Sequence, residues 1–254
     1  MPSSVSIRSR DAVSRTIADQ LAPLLRVHEQ LRHRAWPTPD LPRARRRLAA
    51  GRPAFDPTTA LRAAGDLASA FRDAAQAFDS CGIASTTSVA ALRPSKTEVT
   101  RLVTSWANSD TRPAAASGRL ARQIAGLVGN AVLHRVAADV RDAIPLSGWA
   151  QPTCPCCGSP PDIATINGDA RTLHCSRCDT PWRSPAPGCL GCGADGSPAI
   201  ARVASAYLGY ELAICHSCGR YIKERRGSLR FHPLVERALA AGLDDAAQKR
   251  GLRL

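Results

Sequence analysis

Eight of the ten cysteines fall between Cys154 and Cys218 as four Cys-x-x-Cys pairs: Cys154/Cys157, Cys175/Cys178, Cys189/Cys192 and Cys215/Cys218. A two-residue gap lets both sulfurs of a tight turn point at one ion, with backbone N–H groups steadying the thiolates. Two such turns complete a tetrahedral shell of four sulfurs at about 2.3 Å per Zn–S bond. The pattern therefore predicts two mononuclear four-thiolate metal ions per chain. Disulfides are a rival use of cysteine, but they suit small secreted chains. Residues Met1–Arg15 carry Arg8, Arg10 and Arg15 without the apolar run of a secretory leader. A redox-active Cys-x-x-Cys usually comes singly, at a helix start in a βαβ unit, whereas this region reads as hairpins. Cys156 is wedged inside the first turn with the wrong spacing to share a tetrahedron, so it is a bystander, or else an alternative ligand. Cys81, beside Gly82, reads as a small buried apolar residue.

The elements around the cysteines decide which pair meets which. Ile163–Ile166 and Arg171–His174 are strand-like runs around Asn167-Gly168, a favoured hairpin turn. A hairpin brings the chain back to its start and so returns the second pair to the first. Between the third and fourth pairs, Ile200–Val203 alternates and Tyr207–Ile214 is aromatic and aliphatic, interrupted by Gly209. Two successive zinc-ribbon or rubredoxin-like modules are the simplest structure. A cross-braced arrangement, first pair with third and second with fourth, is the alternative. After the last pair, Tyr221-Ile222-Lys223 continues as a strand, Arg225-Arg226-Gly227 turns, and His232–Arg250 returns to helix.

Before about Gln151 the composition changes to Ala, Leu and Arg with a single cysteine. Only 4% of the residues are aromatic, so a core there must be built from closely packed aliphatic helices. Apolar residues recur at helical spacing from Ile7 to Arg34, one helix or a pair kinked near Pro23, with Trp36-Pro37-Thr38-Pro39 as the stop. Leu41–Ala50 is a short basic helix ended by Gly51, and its arginines 43, 45, 46 and 47 read as a solvated face. Asp56-Pro57 caps a helix running to Cys81-Gly82. Pro94–Asn108 and Pro113 to about Ile144 follow, with His134 as a core or boundary histidine. No glycine loop for phosphate, no distinctive acid/base pair and no nucleophile elbow stands in this half. The expected fold class is α+β: a helical bundle over 1–148, four-cysteine modules over 149–187 and 188–230, and a C-terminal helix with its tail over 231–254.

The formal charge is +13, and two divalent ions held by eight thiolates would bring it to about +9. An anionic partner is implied, nucleic acid or an acidic protein face. No run approaches a membrane span, so a soluble intracellular protein is expected.

The cysteine block resembles the formate dehydrogenase accessory protein family of the FdhE type. The residues that carry the resemblance are Cys154-x-x-Cys157-Gly158-Ser159-Pro160 and Arg171-x-Leu173-His174-Cys175-x-x-Cys178-x-x-x-Trp182. They continue with Cys189-x-x-Cys192-Gly193, Cys215-x-x-Cys218-x-x-Tyr221-x-Lys223 and a tail of Leu243-Asp244-x-x-Ala247 with Gly251. Leu-His-Cys and Tyr-x-Lys lift it above a generic zinc ribbon. Residues 1 to 150 offer no matching motif, and Ser184–Gly188 replaces an expected basic strand. The resemblance implies a cytoplasmic, non-enzymatic maturation factor. Its client would be the catalytic subunit of a molybdenum- or tungsten-dependent formate dehydrogenase. It implies rubredoxin-type iron, whereas four thiolates alone would favour zinc. His174, Trp182, His216 and Tyr221, each beside a knuckle, are then the candidate partner-binding residues; packing against the sulfur cage is the competing use of the two aromatics. Two other function classes fit the residues: a basic ribbon protein binding nucleic acid, though its aromatic platform is sparse, and a rubredoxin-like electron-transfer module.

Overall fold

The computed structural model describes residues 7–82, 89, 92–108, 116–184, 188–196, 198–204 and 209–254. The helices between Leu41 and Ala107 begin where polar caps satisfy the free N–H groups of a first turn. Asp40 caps α3 (Leu41–Ala49), Asp56 caps α4 (Pro57–Ala63), and Asp66 caps α5 (Leu67–Ser80). Ser95 and Glu98 form a reciprocal capping box on α6 (Lys96–Ala107). The N-terminal stripe is a pair of helices, α1 (Ile7–Gln20) and α2 (Ala22–Arg32), with Pro23 in the first turn of the second. The segment expected as one helix from Asp56 to Cys81 is two. Ala64 adopts an extended conformation, Gly65 follows, and the Asp66 carboxylate restarts the helix by accepting from Ser69 N. Most of the Ser/Thr-rich loop after Gly82 lies outside the described residues.

Helix α7 (Ala116–Ala143) packs against α2, α3, α4, α5 and α6. Its fully buried Ile124, Val128, Val132, Leu133 and Val140 form the centre of the aliphatic core. The same continuous cluster takes in Cys154, Cys156, Cys157, Leu173, Cys175, Cys178 and Trp182, so helices and first knuckle share one interior.

The strands are β1 (Pro161–Asn167), β2 (Ala170–Cys175), β3 (Pro181–Arg183), β4 (Ile200–Ala204), β5 (Tyr210–Cys215) and β6 (Tyr221–Arg226). Each four-cysteine unit contributes an antiparallel trio, β1-β2-β3 or β4-β5-β6. The two trios join through β1 and β6, which run parallel, giving one six-stranded sheet in the order β3-β2-β1-β6-β5-β4. Two local expectations shift by a residue or more. Asn167 pairs with Ala170, so the hairpin turn is Gly168-Asp169, with Gly168 at φ 58°. Strand β6 continues through Arg226, and the chain turns at Gly227 instead.

Helix α8 (Pro233–Gln248) packs on this sheet. Tyr210 OH donates to Glu236, whose carboxylate also accepts from Arg230 N and Phe231 N. Lys223 Nζ and Tyr221 OH both donate to Asp244, at 2.6 and 2.8 Å. The result is an α+β fold in which helices and ribbons are joined by shared core and buried polar contacts.

Candidate metal centres

All four Cys-x-x-Cys turns are built alike. In three of them the first cysteine accepts at its carbonyl from the N–H four residues on: Cys154 from Gly158, Cys189 from Gly193 and Cys215 from Gly219, at 2.8–2.9 Å. The N–H of that cysteine closes the loop onto the carbonyl five residues ahead: Ser159, Thr180, Ala194 and Arg220 in the four turns. To double back so tightly, the residue after each pair takes a positive φ: Gly158 at 77°, Asp179 at 57°, Gly193 at 76° and Gly219 at 69°. Glycine is the natural occupant there. Asp179 is the exception, a residue type that visits this region more readily than most.

The turns bring the sulfurs of the first two pairs together, and those of the last two. Cys154 and Cys178 sulfurs are 3.6 Å apart, Cys157 and Cys175 3.4 Å, Cys189 and Cys218 3.6 Å, and Cys192 and Cys215 3.6 Å. A tetrahedron with metal–sulfur bonds of about 2.3 Å has edges of about 3.8 Å, whereas a disulfide would require about 2.05 Å. Backbone N–H groups point at sulfur as thiolate ligands require: Arg177 N and Cys178 N at Cys175 Sγ, and Gly191 N at Cys189 Sγ. The residues therefore fit two four-thiolate metal ions, and the pairing is sequential, not cross-braced. Cys156 stands outside both clusters, its sulfur directed at the Ala137 carbonyl of α7. Cys81 ends α5 half-buried.

The two clusters differ in cover. Every cysteine of the first is buried. Pro53 packs on Gly158, and the following segment hydrogen-bonds along the knuckle, Ala54 N to Pro155 O and Phe55 N to Cys156 O. In the second cluster Cys215 is buried, Cys189 and Cys218 are half-buried, and Cys192 is exposed. A cavity of about 210 Å3 opens beside it, where Arg171 and Arg202 both reach Glu224.

Beneath the first knuckle lies an ion cluster that the cysteine pattern does not announce. Arg237 of α8 donates to Asp162 Oδ2 at 2.7 Å, to Asp179 Oδ1 at 2.6 Å and to the Cys175 carbonyl at 2.7 Å. Burial alone would raise the carboxyl of Asp162, but Arg237 and Lys223 more than offset it and hold it below the ordinary range. Asp179 is likewise pushed up by burial and pulled below its ordinary value by Arg237. The αL turn at Asp179 thus places its carboxylate on the guanidinium. The partners are 58 to 75 residues apart, beyond any local spacing rule.

Among the expected partner-binding residues, His216 is exposed. His174 is half-buried with Nε2 3.1 Å from Thr165 Oγ1. Trp182 and Tyr221 are each only 4% exposed. Trp182 belongs to the shared core, and Tyr221 is pinned to Asp244, so neither ring offers its face to solvent.

No protein-family model and no curated protein matches the chain by sequence. Among solved structures it is similar to the crystal structure of the FdhE protein from Pseudomonas aeruginosa, with a TM-score of 0.64 at 18% identity. The match covers 91% of this chain and 83% of that one, so it spans helices and ribbons together. The chain has an FdhE-type fold.

Proposed function

We propose that the chain is a non-enzymatic accessory factor in formate dehydrogenase maturation. In this reading it works in the cytoplasm and binds the catalytic subunit of a molybdenum- or tungsten-dependent enzyme during assembly. The observation that carries it is the fold match, which extends over the helical half and both four-sulfur clusters. The Leu-His-Cys and Tyr-x-Lys motifs of the cysteine block point the same way. Cys154, Cys157, Cys175 and Cys178 would hold one ion, and Cys189, Cys192, Cys215 and Cys218 the other. Either metal cross-links four thiolates, and iron adds one-electron chemistry that zinc lacks. His216 and His174 would meet the client, with Trp182 and Tyr221 bracing the knuckles from inside. Among the described residues no helix is long and apolar enough to cross a membrane, which agrees with a role off the bilayer.

The test pairs metal analysis and a visible spectrum of anaerobically purified protein with affinity capture from the native host. About two ions per chain and a captured formate dehydrogenase catalytic subunit are expected. Capture of nucleic acid alone, lost steeply with salt, would overturn the reading. The exposed Cys192 favours a second reading, electron transfer through an iron-loaded second cluster. A colourless, zinc-loaded protein would end it.

A further inference from the structure

A groove of about 680 Å3 runs along α7 where the helices meet the first knuckle. Its α7 wall extends from Arg119 to Asn130, about 16 Å at 1.5 Å per residue, or three helical turns. Leu24 and Leu127 are buried in it, while Leu25, Phe78, Trp106 and Leu234 are only partly covered.

The groove is held open by specific packing. An added Cβ at Gly126 would lie 2.9 Å from Trp106 Nε1, and one at Gly129 would lie 2.6 Å from two ring carbons. The glycines thus give the indole a bare strip of helix backbone to lie on. The Arg177 guanidinium sits over that ring, 4.6 Å from its centroid. Arg177 belongs to the turn between Cys175 and Cys178, and its carbonyl accepts from Asn130 Nδ2 at 2.9 Å. One wall therefore comes from the metal knuckle and is fastened to α7. Lys223 is paired with Asp244 and Arg237 with Asp162 and Asp179, so the positive charge of the lining rests on Arg119, Arg122 and Arg177.

We propose that this groove docks an acidic amphipathic helix of a partner polypeptide, apolar face down and carboxylates toward the arginines. Length and shape favour a helix laid along α7 over a compact ligand, and a floor whose one indole is covered by Gly126, Gly129 and Arg177 does not suit a nucleic-acid strand. The inference rests on the accessory reading for its view that the partner is a protein, and it names the chemistry of the segment that the partner presents.

Fluorescence anisotropy of the full chain with labelled synthetic peptides tests it. The probe is a peptide of about three helical turns with leucines on one face and glutamates elsewhere. One control replaces glutamate by lysine, and another scrambles the same composition so that no apolar face forms. The acidic amphipathic peptide should bind at least about tenfold more tightly than either control, and Arg119→Glu with Arg122→Glu should cost about the same factor. Leu25→Asp, on a different wall, should weaken binding too and guards against a folding defect in the arginine variant, with circular dichroism checking both. Equal binding of the scrambled peptide, or no loss in folded variants, overturns the proposal. So does a dimer in sedimentation velocity that dissociates on Arg119→Glu with Arg122→Glu, which would make a second copy the occupant. Affinity capture separates the two readings. If the wild type captures no formate dehydrogenase subunit yet binds the peptide selectively, the groove stands and the accessory reading fails. If wild type and arginine variant capture the subunit equally, the accessory reading stands and the groove is overturned.

Discussion

His28 is a histidine with almost no water around it, 1% exposed, its Nε2–H donating to Asn130 Oδ1 at 2.6 Å. Its Nδ1 has no partner among the described residues. Burial drives its pKa down to about 4; Asp179 opposes the shift, while His232 and Arg32 push with it. The folded-state value lies below the unfolded value of about 6.5, so the unfolded chain takes the proton first. The stabilisation is complete above that value and is lost as the pH falls from about 6.5 toward 4, up to about 3 kcal/mol for this group. His134 is shifted to about 4 for the same first reason, with desolvation leading. Urea unfolding at about pH 7 and pH 5 should show His28→Gln, which keeps a donor for Asn130, losing about 2 kcal/mol less than the wild type between them. The comparison cancels proton uptake by the cysteines; an unchanged pH slope would refute the assignment. At this scale the grouping of the eight cysteines into two four-sulfur clusters was legible, because turn geometry is written into a local spacing. The Asn130–His28 and Arg237–Asp162 contacts were not, since residues 102 and 75 positions apart leave no local pattern.

At the scale of elements, α8 is fixed to the sheet by a buried polar seam. Arg237 is its centre, balancing Asp162 and Asp179. Arg237→Ala should cost about 3–5 kcal/mol, because it leaves two buried carboxylates without their cation. Adding Asp162→Asn should return part of that loss in thermal or chemical unfolding. A cost no larger than that of an ordinary surface substitution would mean that the seam contributes little. The hairpins and most helices were readable from periodicity and turn residues. The parallel joint of β1 and β6 was not, because hairpin signals say how neighbours in sequence pair and nothing about which edges of two trios meet. The break between α4 and α5 had a legible sign in Gly65-Asp66, a glycine followed by a good cap, but the apolar stripe continued through it and masked the restart.

For the whole molecule, the clusters are unequal because one is wrapped by helices and the other stands at the far side of the sheet. A chelator should remove metal in two kinetic phases. The fast phase, from the cluster with exposed Cys192, should leave helical circular dichroism nearly intact. The slow phase should track unfolding, since the first cluster lies inside the aliphatic core and such sites contribute folding energy directly. Release of both ions in one phase, with helicity unchanged, would show the first cluster to be as accessible as the second.

That shared interior also has a consequence for how the protein is made. A ribosome delivers α1 to α7 first, yet the apolar face that α7 turns toward Cys156, Leu173 and Trp182 gains its cover only after those residues emerge. Arg237, which neutralises the two acids under the first knuckle, follows later still. For that interval the nascent chain carries a finished helical surface with its lid still inside the exit tunnel. How quickly the first four cysteines and the strands that carry them close over α7 then sets how long the nascent chain must be kept from sticking.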